Sequence, residues 1–317
     1  MKRFKVFVLT VAIAGVMFLP ACAGSSAPTT PAAPSAAPTT ASNEVSAQQD
    51  DVPEVDEDLN FNTSMPIAVI SREEGSGTRG AFIELLGIER DGVDHTFSEA
   101  DIQNGTSAVI TAVASNTYAI GYISLGSLND TVTAISIEGV AASPETVQDG
   151  SYPIFRSFYF AIGELSDVAS DFLNFVLSAE GQEIVASRGY IVVDSYAPAF
   201  ESNGATGTVV VTGSTSVFPI VELLGESYRE VNPNANVEVH STGSSAGITA
   251  ARDGTADLGM TSRALHSHEL EEVDAISIAH DGIAIIANNS NPLESITAEE
   301  VRQIFEGELF NWSVLFN

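Results

Sequence analysis

Residues 71–79 read Ser71-Arg72-Glu73-Glu74-Gly75-Ser76-Gly77-Thr78-Arg79. An apolar run, Ile67 to Ile70, precedes them and predicts a strand; Ala81 to Leu86 follows and predicts a helix. Small residues at a strand-to-helix junction leave backbone N–H groups bare at the helix start, where they favour an anion. Ser76 and Thr78 add hydroxyl donors, and Arg72 adds a fork of charged ones. Such a loop is a socket for an oxyanion. The same residues also fit a capped turn in which Arg72 merely pairs with Glu73 or Glu74, so the rest of the chain has to decide.

Working outward, residues 1–22 have a basic start (Lys2, Arg3, Lys5), an apolar core from Val6 to Leu19, and Leu19-Pro20-Ala21-Cys22. They predict a signal peptide, too short for a spanning helix. The small residue before the only cysteine resembles a bacterial lipobox, which makes Cys22 a lipidation site. Residues 23–64 predict a disordered tether, mostly Ala, Ser, Pro and Thr to about Ala47 and acidic from Glu44 to Asp58. Some forty flexible residues span roughly 35 Å. Of the 12 basic residues, three leave with the signal, and nine then face 42 acidic ones, a net charge of −33 with no lysine left. That balance argues against nucleic acid and anionic lipid surfaces as partners. It does not exclude a small anion, because screening confines distant charges to about 8 Å while a local arginine acts directly.

After the opening loop the pattern predicts a helix over Ser107–Ser115, strands over Tyr118–Ser124 and Val132–Ile137, a buried strand over Tyr152–Gly163, and one long helix over Val168–Arg188. Glu201–Gly207 is a polar break, after which the opening architecture repeats. Strands over Thr208–Thr212, Val237–His240 and Asp257–Met260 each run into a hydroxyl-rich loop, respectively 213–216, 241–247 and 261–263. Helices are expected after each, over Pro219–Val231, Ile248–Arg252 and Ala264–Val273. One Ser/Thr loop before a helix is ordinary capping. Four of them at the carboxyl ends of strands are the arrangement that binds ligands in α/β folds.

The blocks Val211-Thr-Gly-Ser-Thr-Ser-Val217, Ser241-Thr-Gly-Ser-Ser-Ala-Gly-Ile248, Gly254-Thr-Ala-Asp-Leu-Gly-Met-Thr-Ser-Arg263, Ile278-Ala-His-Asp-Gly-Ile-Ala284 and Ile304-Phe-Glu-Gly-Glu-Leu-Phe-Asn-Trp-Ser313, with the opening loop, resemble the phosphate-binding protein of the bacterial high-affinity phosphate ABC transporter. The resemblance spans nearly all of residues 65–317, but the second half comes first. A circular permutant and a piece of a tandem array both fit that order. The resemblance implies an α/β, two-domain periplasmic-binding-protein-like (type II) fold with a hinged cleft, circularly permuted. One domain is expected over 151–285 and the other over 65–150 plus 286–317. In permuted order Asn317 should lie near Met65, and crossing segments are expected near Tyr152–Ala161 and Asp281–Ala287.

The contacts implied by the resemblance are Arg72, Ser76, Gly77 and Thr78 from one domain and Thr215, Ser216, Ser244 and Ser262 from the other. Some members of that family carry Asp where Ser262 stands. Glu74 and Asp281 are the alternative proton acceptors; the expectation is that Glu74 orients Arg72 and Asp281 serves the hinge or a cap. The implied protein is a monomeric, lipid-anchored extracytoplasmic receptor that hands inorganic phosphate to ABC permease subunits, touching the membrane through its N-terminal lipid only. It needs no metal or cofactor and is not an enzyme; a general oxyanion (sulfate-type) receptor and a surface lipoprotein without transport are the alternatives. A serine hydrolase is the rival class, since Gly243-Ser244-Ser245-Ala246-Gly247 matches a nucleophile elbow followed by Asp274 and His280. It is disfavoured because the anion loop already explains those serines. His266 and His268, at i and i+2 of an expected helix, are read as solvated rather than metal-binding.

Overall fold

The structure, a computed structural model, describes residues 61–316. Cys22 and most of the expected tether lie outside them. Phe61 does not behave as tether: it is buried and packs on Tyr118, Trp312 and Phe316.

The chain begins with β1 (Ala68–Arg72), α1 (Gly77–Leu85), the ribbon β2 (Glu89–Arg90) and β3 (Val93–Asp94), β4 (Asp101–Gln103), α2 (Thr106–Ser115), β5 (Ala119–Ser124), β6 (Val132–Ile137) and α3 (Pro144–Gln148). It crosses on β7 (Phe155–Ile162) to α4 (Asp167–Val176), α5 (Ala179–Ser187), β8 (Gly207–Gly213), α6 (Phe218–Val231), β9 (Ala235–Ser241), α7 (Ser244–Arg252) and β10 (Leu258–Thr261). It returns on β11 (Asp274–Asn288) to β12 (Ser295–Ile296) and α8 (Ala298–Glu306).

One curled sheet carries both halves in the order β4-β1-β5-β11-β7-β10-β8-β9, with β6 and β12 beside the end of β11. β1 is parallel to β4 and β5, and β8 is parallel to β9 and β10. Each parallel set therefore presents its carboxyl ends on one side, where βα loops gather. β11 joins the sets: Asp274–Gly282 pairs with β7, and the residues from Ile283 pair with β5 and β6. Apolar burial divides at the same place. One core runs from Phe61 to Ile154 and resumes at Ile283; the others lie between Phe158 and Ala279. These are two lobes with a shared spine. The last described residues close the first lobe, since Pro66 bridges Asn311 and Ile67 N–H donates to Phe310 O at 2.8 Å.

Two expected helices differ. The run Val168–Arg188 is two helices, α4 and α5, because Ser178 caps a new start by accepting from Gly181 N–H at 3.3 Å. Gly181 also sits where a Cβ would fall 2.2 Å from Phe175 O, and Gln182 Nε2 takes the freed Val176 carbonyl at 2.9 Å. The expected helix over Ala264–Val273 is a chain of turns. There Glu269 takes two bonds from Arg263, each 2.8 Å, and a third from His266 N–H at 2.8 Å. The backbone wraps that ion pair instead of continuing a helical ladder. In these turns the rings of His266 and His268 stack, 5.7 Å from centroid to centroid. No group of three or more metal-ligating side chains occurs among the described residues.

Candidate functional site: a hydroxyl-lined seam between two lobes

The carboxyl end of β1 delivers Arg72 into the seam between the lobes. Its backbone is held there by the first core, where Phe82 stacks on Tyr122 at 3.8 Å and Phe305 meets both rings edge-on. Such ring pairs are worth about 1 kcal/mol each beyond burial. The Tyr122 hydroxyl then reaches Ser71 Oγ at 2.9 Å and accepts from Arg72 N–H at 3.3 Å. The Arg72 side chain is buried. Its Nε and one Nη donate to the two oxygens of Glu73, both at 2.8 Å, and Nη2 also donates to Thr215 Oγ1 at 3.0 Å. Nη1 has no acceptor among the described residues.

Glu73, not Glu74, therefore orients the arginine. Glu74 is exposed at the rim of the seam, where a groove of about 540 Å³ also touches Arg79, Ser245 and Arg263. Partial burial pushes the Glu73 carboxyl up, but Arg72 and the Gly105 N–H outweigh it and hold it below the usual glutamate range. It stays an anion clamped to its partner.

Across the seam stand the loops after β8, β9 and β10. Thr78 Oγ1 meets Ser216 Oγ at 2.8 Å and Ser262 Oγ at 3.5 Å. Ser262 in turn accepts from Ser214 Oγ at 2.9 Å, lies 3.5 Å from Ser244 Oγ, and donates its N–H to that oxygen at 3.2 Å. Ser245 N–H donates to Gly75 O at 3.2 Å, tying backbone to backbone across the seam. Gly77 fixes how close the lobes come: a Cβ there would lie 2.3 Å from Ser244 Oγ and 2.7 Å from Ser262 Oγ. No other residue allows that approach.

All eight expected contacts, Arg72, Ser76, Gly77, Thr78, Thr215, Ser216, Ser244 and Ser262, thus meet in one seam. All but Thr215 are buried. Sequence reasoning missed Thr106, whose Oγ1 reaches Thr215 and Ser216 at 3.2 and 3.3 Å, and Ser214. The Asn104-Gly-Thr-Ser run that opens α2 is a readable signal for Thr106. Asp281 makes none of its hydrogen bonds to this cluster; it pairs with Arg156 in the crossing strands. Nor is a hydrolytic triad assembled. Ser244 Oγ faces Ser262, while His280 Nδ1 shares a 2.8 Å bond with Ser157 Oγ.

Four helices start at the seam. Ser76 caps α1, but the N-caps of α2, α6 and α7 are Gly105, Val217 and Gly243, none of which supplies a side-chain cap. Part of what these starts could offer is already engaged: Phe218 N–H donates to Ser214 O at 3.0 Å, Pro219 has no N–H, and Ser245 N–H is the group that crosses to Gly75 O. Hydroxyls can donate or accept, whereas N–H groups and guanidinium only donate. The seam is therefore rich in donors around a buried cation, a chemistry suited to a small oxyanion and to no cation.

The family model described as the PBP superfamily domain matches residues 41–180 and 198–316. The phosphate-binding protein PstS 2 of Streptococcus agalactiae is 42% identical over 266 residues, covering 81% of this chain and 90% of that protein. The chain belongs to the PstS family of the PBP superfamily. A crystal structure of a phosphate ABC transporter phosphate-binding protein from Streptococcus pneumoniae matches with 44% identity and a TM-score of 0.65, covering 79% of this chain and 99% of that one. The α/β, cleft-bearing fold is thus that of the superfamily. The Bacillus subtilis phosphate-binding protein PstS matches at 32% identity over 141 residues, only 45% of its length.

Proposed function

We propose that the chain is an extracytoplasmic receptor that captures inorganic phosphate in the seam and delivers it to ABC permease subunits. One observation carries this reading: hydroxyls from both lobes meet beside a buried arginine that keeps one donor nitrogen without an acceptor among the described residues. The ligand contacts are Arg72, Ser76, Gly77, Thr78, Thr215, Ser216, Ser244 and Ser262, with Thr106 and Ser214 beside them and Glu73 holding Arg72. Each charge-assisted bond contributes roughly 1.5–3 kcal/mol, so a handful reaches the ~8 kcal/mol of micromolar binding. The protein acts as a monomer and a carrier rather than an enzyme, held to the membrane by lipid on Cys22. No helix among the described residues is long and apolar enough to cross a membrane. The order of the halves is circularly permuted relative to relatives such as the Bacillus protein; the half-length match to it supports that reading.

Calorimetric titration of the phosphate-stripped protein tests the proposal. One-to-one binding of phosphate is expected. Equal binding of sulfate would make it a general oxyanion receptor, and a folded protein that binds neither would overturn the reading.

A further inference from the structure

Three strands from Arg72 in the same sheet, across β5 and β11, β7 carries a second buried arginine that phosphate capture, as described, does not use. Arg156 on β7 stands opposite Asp281 on β11, where those strands pass between the lobes. Both side chains are buried, and Arg156 Nη2 donates to Asp281 Oδ2 at 3.1 Å. Asp281 Oδ1 accepts from Gly126 N–H in the turn after β5, at 3.2 Å. A cross-strand tie would account for that much.

It does not account for the rest. Arg156 Nε and Nη1 find no acceptor among the described residues, and neither does Arg72 Nη1. Burial works against the Arg156 charge, Asp281 sustains it, and Arg72 lies near enough to oppose it as well. Two like charges sharing a buried region with three unpaired nitrogens is an expensive arrangement if its purpose is only to join two strands. Its economy lies elsewhere, in a field that points at whatever Arg72 holds.

We infer that Arg156 is a second cation of the anion site, acting through space behind Arg72, and that Asp281 sets its strength as a partial counter-charge. The inference rests on the phosphate reading. It makes both residues positioning groups that touch no ligand, and it predicts opposite signs for their removal. Asp281→Asn keeps the shape and the acceptor for Gly126 N–H but deletes the opposing charge, so phosphate binding should tighten roughly tenfold, the scale of one charge acting over about 12 Å at an effective dielectric near 20. Arg156→Gln should weaken binding by a similar factor, and the double variant should return near the parent.

The experiment is phosphate calorimetry on the parent and the three variants at pH 8, above the value of about 6 to which burial pushes Asp281. A thermal melt of each accompanies it. A merely structural pair would weaken binding in both single variants. Folded Asp281→Asn that binds phosphate no more tightly than the parent overturns the inference, even if Arg156→Gln fails to fold. A parent that binds no phosphate overturns the functional reading instead, and this inference falls with it.

Discussion

The helix starts of this molecule fall into two groups that obey different rules. Away from the seam, α3, α4, α5 and α8 begin at Ser143, Ser166, Ser178 and Thr297, and in every case the hydroxyl accepts from the first turn. At the seam, three of four starts lack any side-chain cap. The seam holds hydroxyls in plenty, yet they bond mainly to one another, across the lobes at Thr78–Ser216 and Thr106–Thr215 and within one lobe at Ser214–Ser262. A side-chain cap contributes about 1 kcal/mol over alanine but only a few tenths over glycine, so with Gly105 and Gly243 at two of the three starts the inner group forgoes roughly 1–2 kcal/mol. The outer starts are closed by their own hydroxyls; at the seam the hydroxyls are turned mainly to one another and to the loops that meet there.

The strongest way to break this contrast is Arg72→Ala. Phosphate affinity should fall more than a hundredfold, about 3 kcal/mol for a charged, multiply bonded group, while the melting temperature moves by only a few degrees. Normal affinity in calorimetry would remove Arg72 from the site. Next comes Gly77→Ala, which places a methyl against Ser244 and Ser262. It should weaken phosphate tenfold or more by holding the lobes apart, with stability to urea little changed. Thr78→Val deletes the hydroxyl that meets Ser216 and should cost roughly 1 kcal/mol of binding; an unchanged dissociation constant would count against the cluster.

In the outer group the readouts reverse. Ser178→Ala should lower unfolding free energy by about 1 kcal/mol and leave phosphate affinity alone. A smaller effect concerns acid. The Glu73 carboxyl is depressed in the folded chain, so its stabilising contribution is present above its unfolded value and is lost as pH falls through the folded one. Parent and Glu73→Gln should therefore differ in urea midpoint near pH 7 and converge in acid. A gap that persists at low pH would mean the Arg72 pairing is not its source.

Much of this contrast was legible in the sequence, because it is local. Hydroxyl-rich loops between strand and helix signals announce themselves within ten residues, and all eight nominated contacts meet in the seam. What was misread depends on distance or on competition. Glu73 and Glu74 are adjacent and chemically alike; only the position of Gly105 N–H, brought in by the turn before α2, favours the first. The turns at 264–273 follow from an arginine that captures Glu269 before the helix can form. The Arg156–Asp281 pair joins residues 125 positions apart, and no local pattern reports a cross-strand partner.

The shared spine also orders events in time. Residues 155–279 hold a core that needs nothing further from the chain, whereas the core begun by residues 61–154 is finished only by residues 283–312. On the extracytoplasmic route proposed above, a chain that emerges from a translocation pore N-terminus first would keep its opening segment waiting, apolar strands exposed, until well over a hundred later residues had arrived. The lobe that carries Arg72 is thus the one most dependent on chaperoning during export.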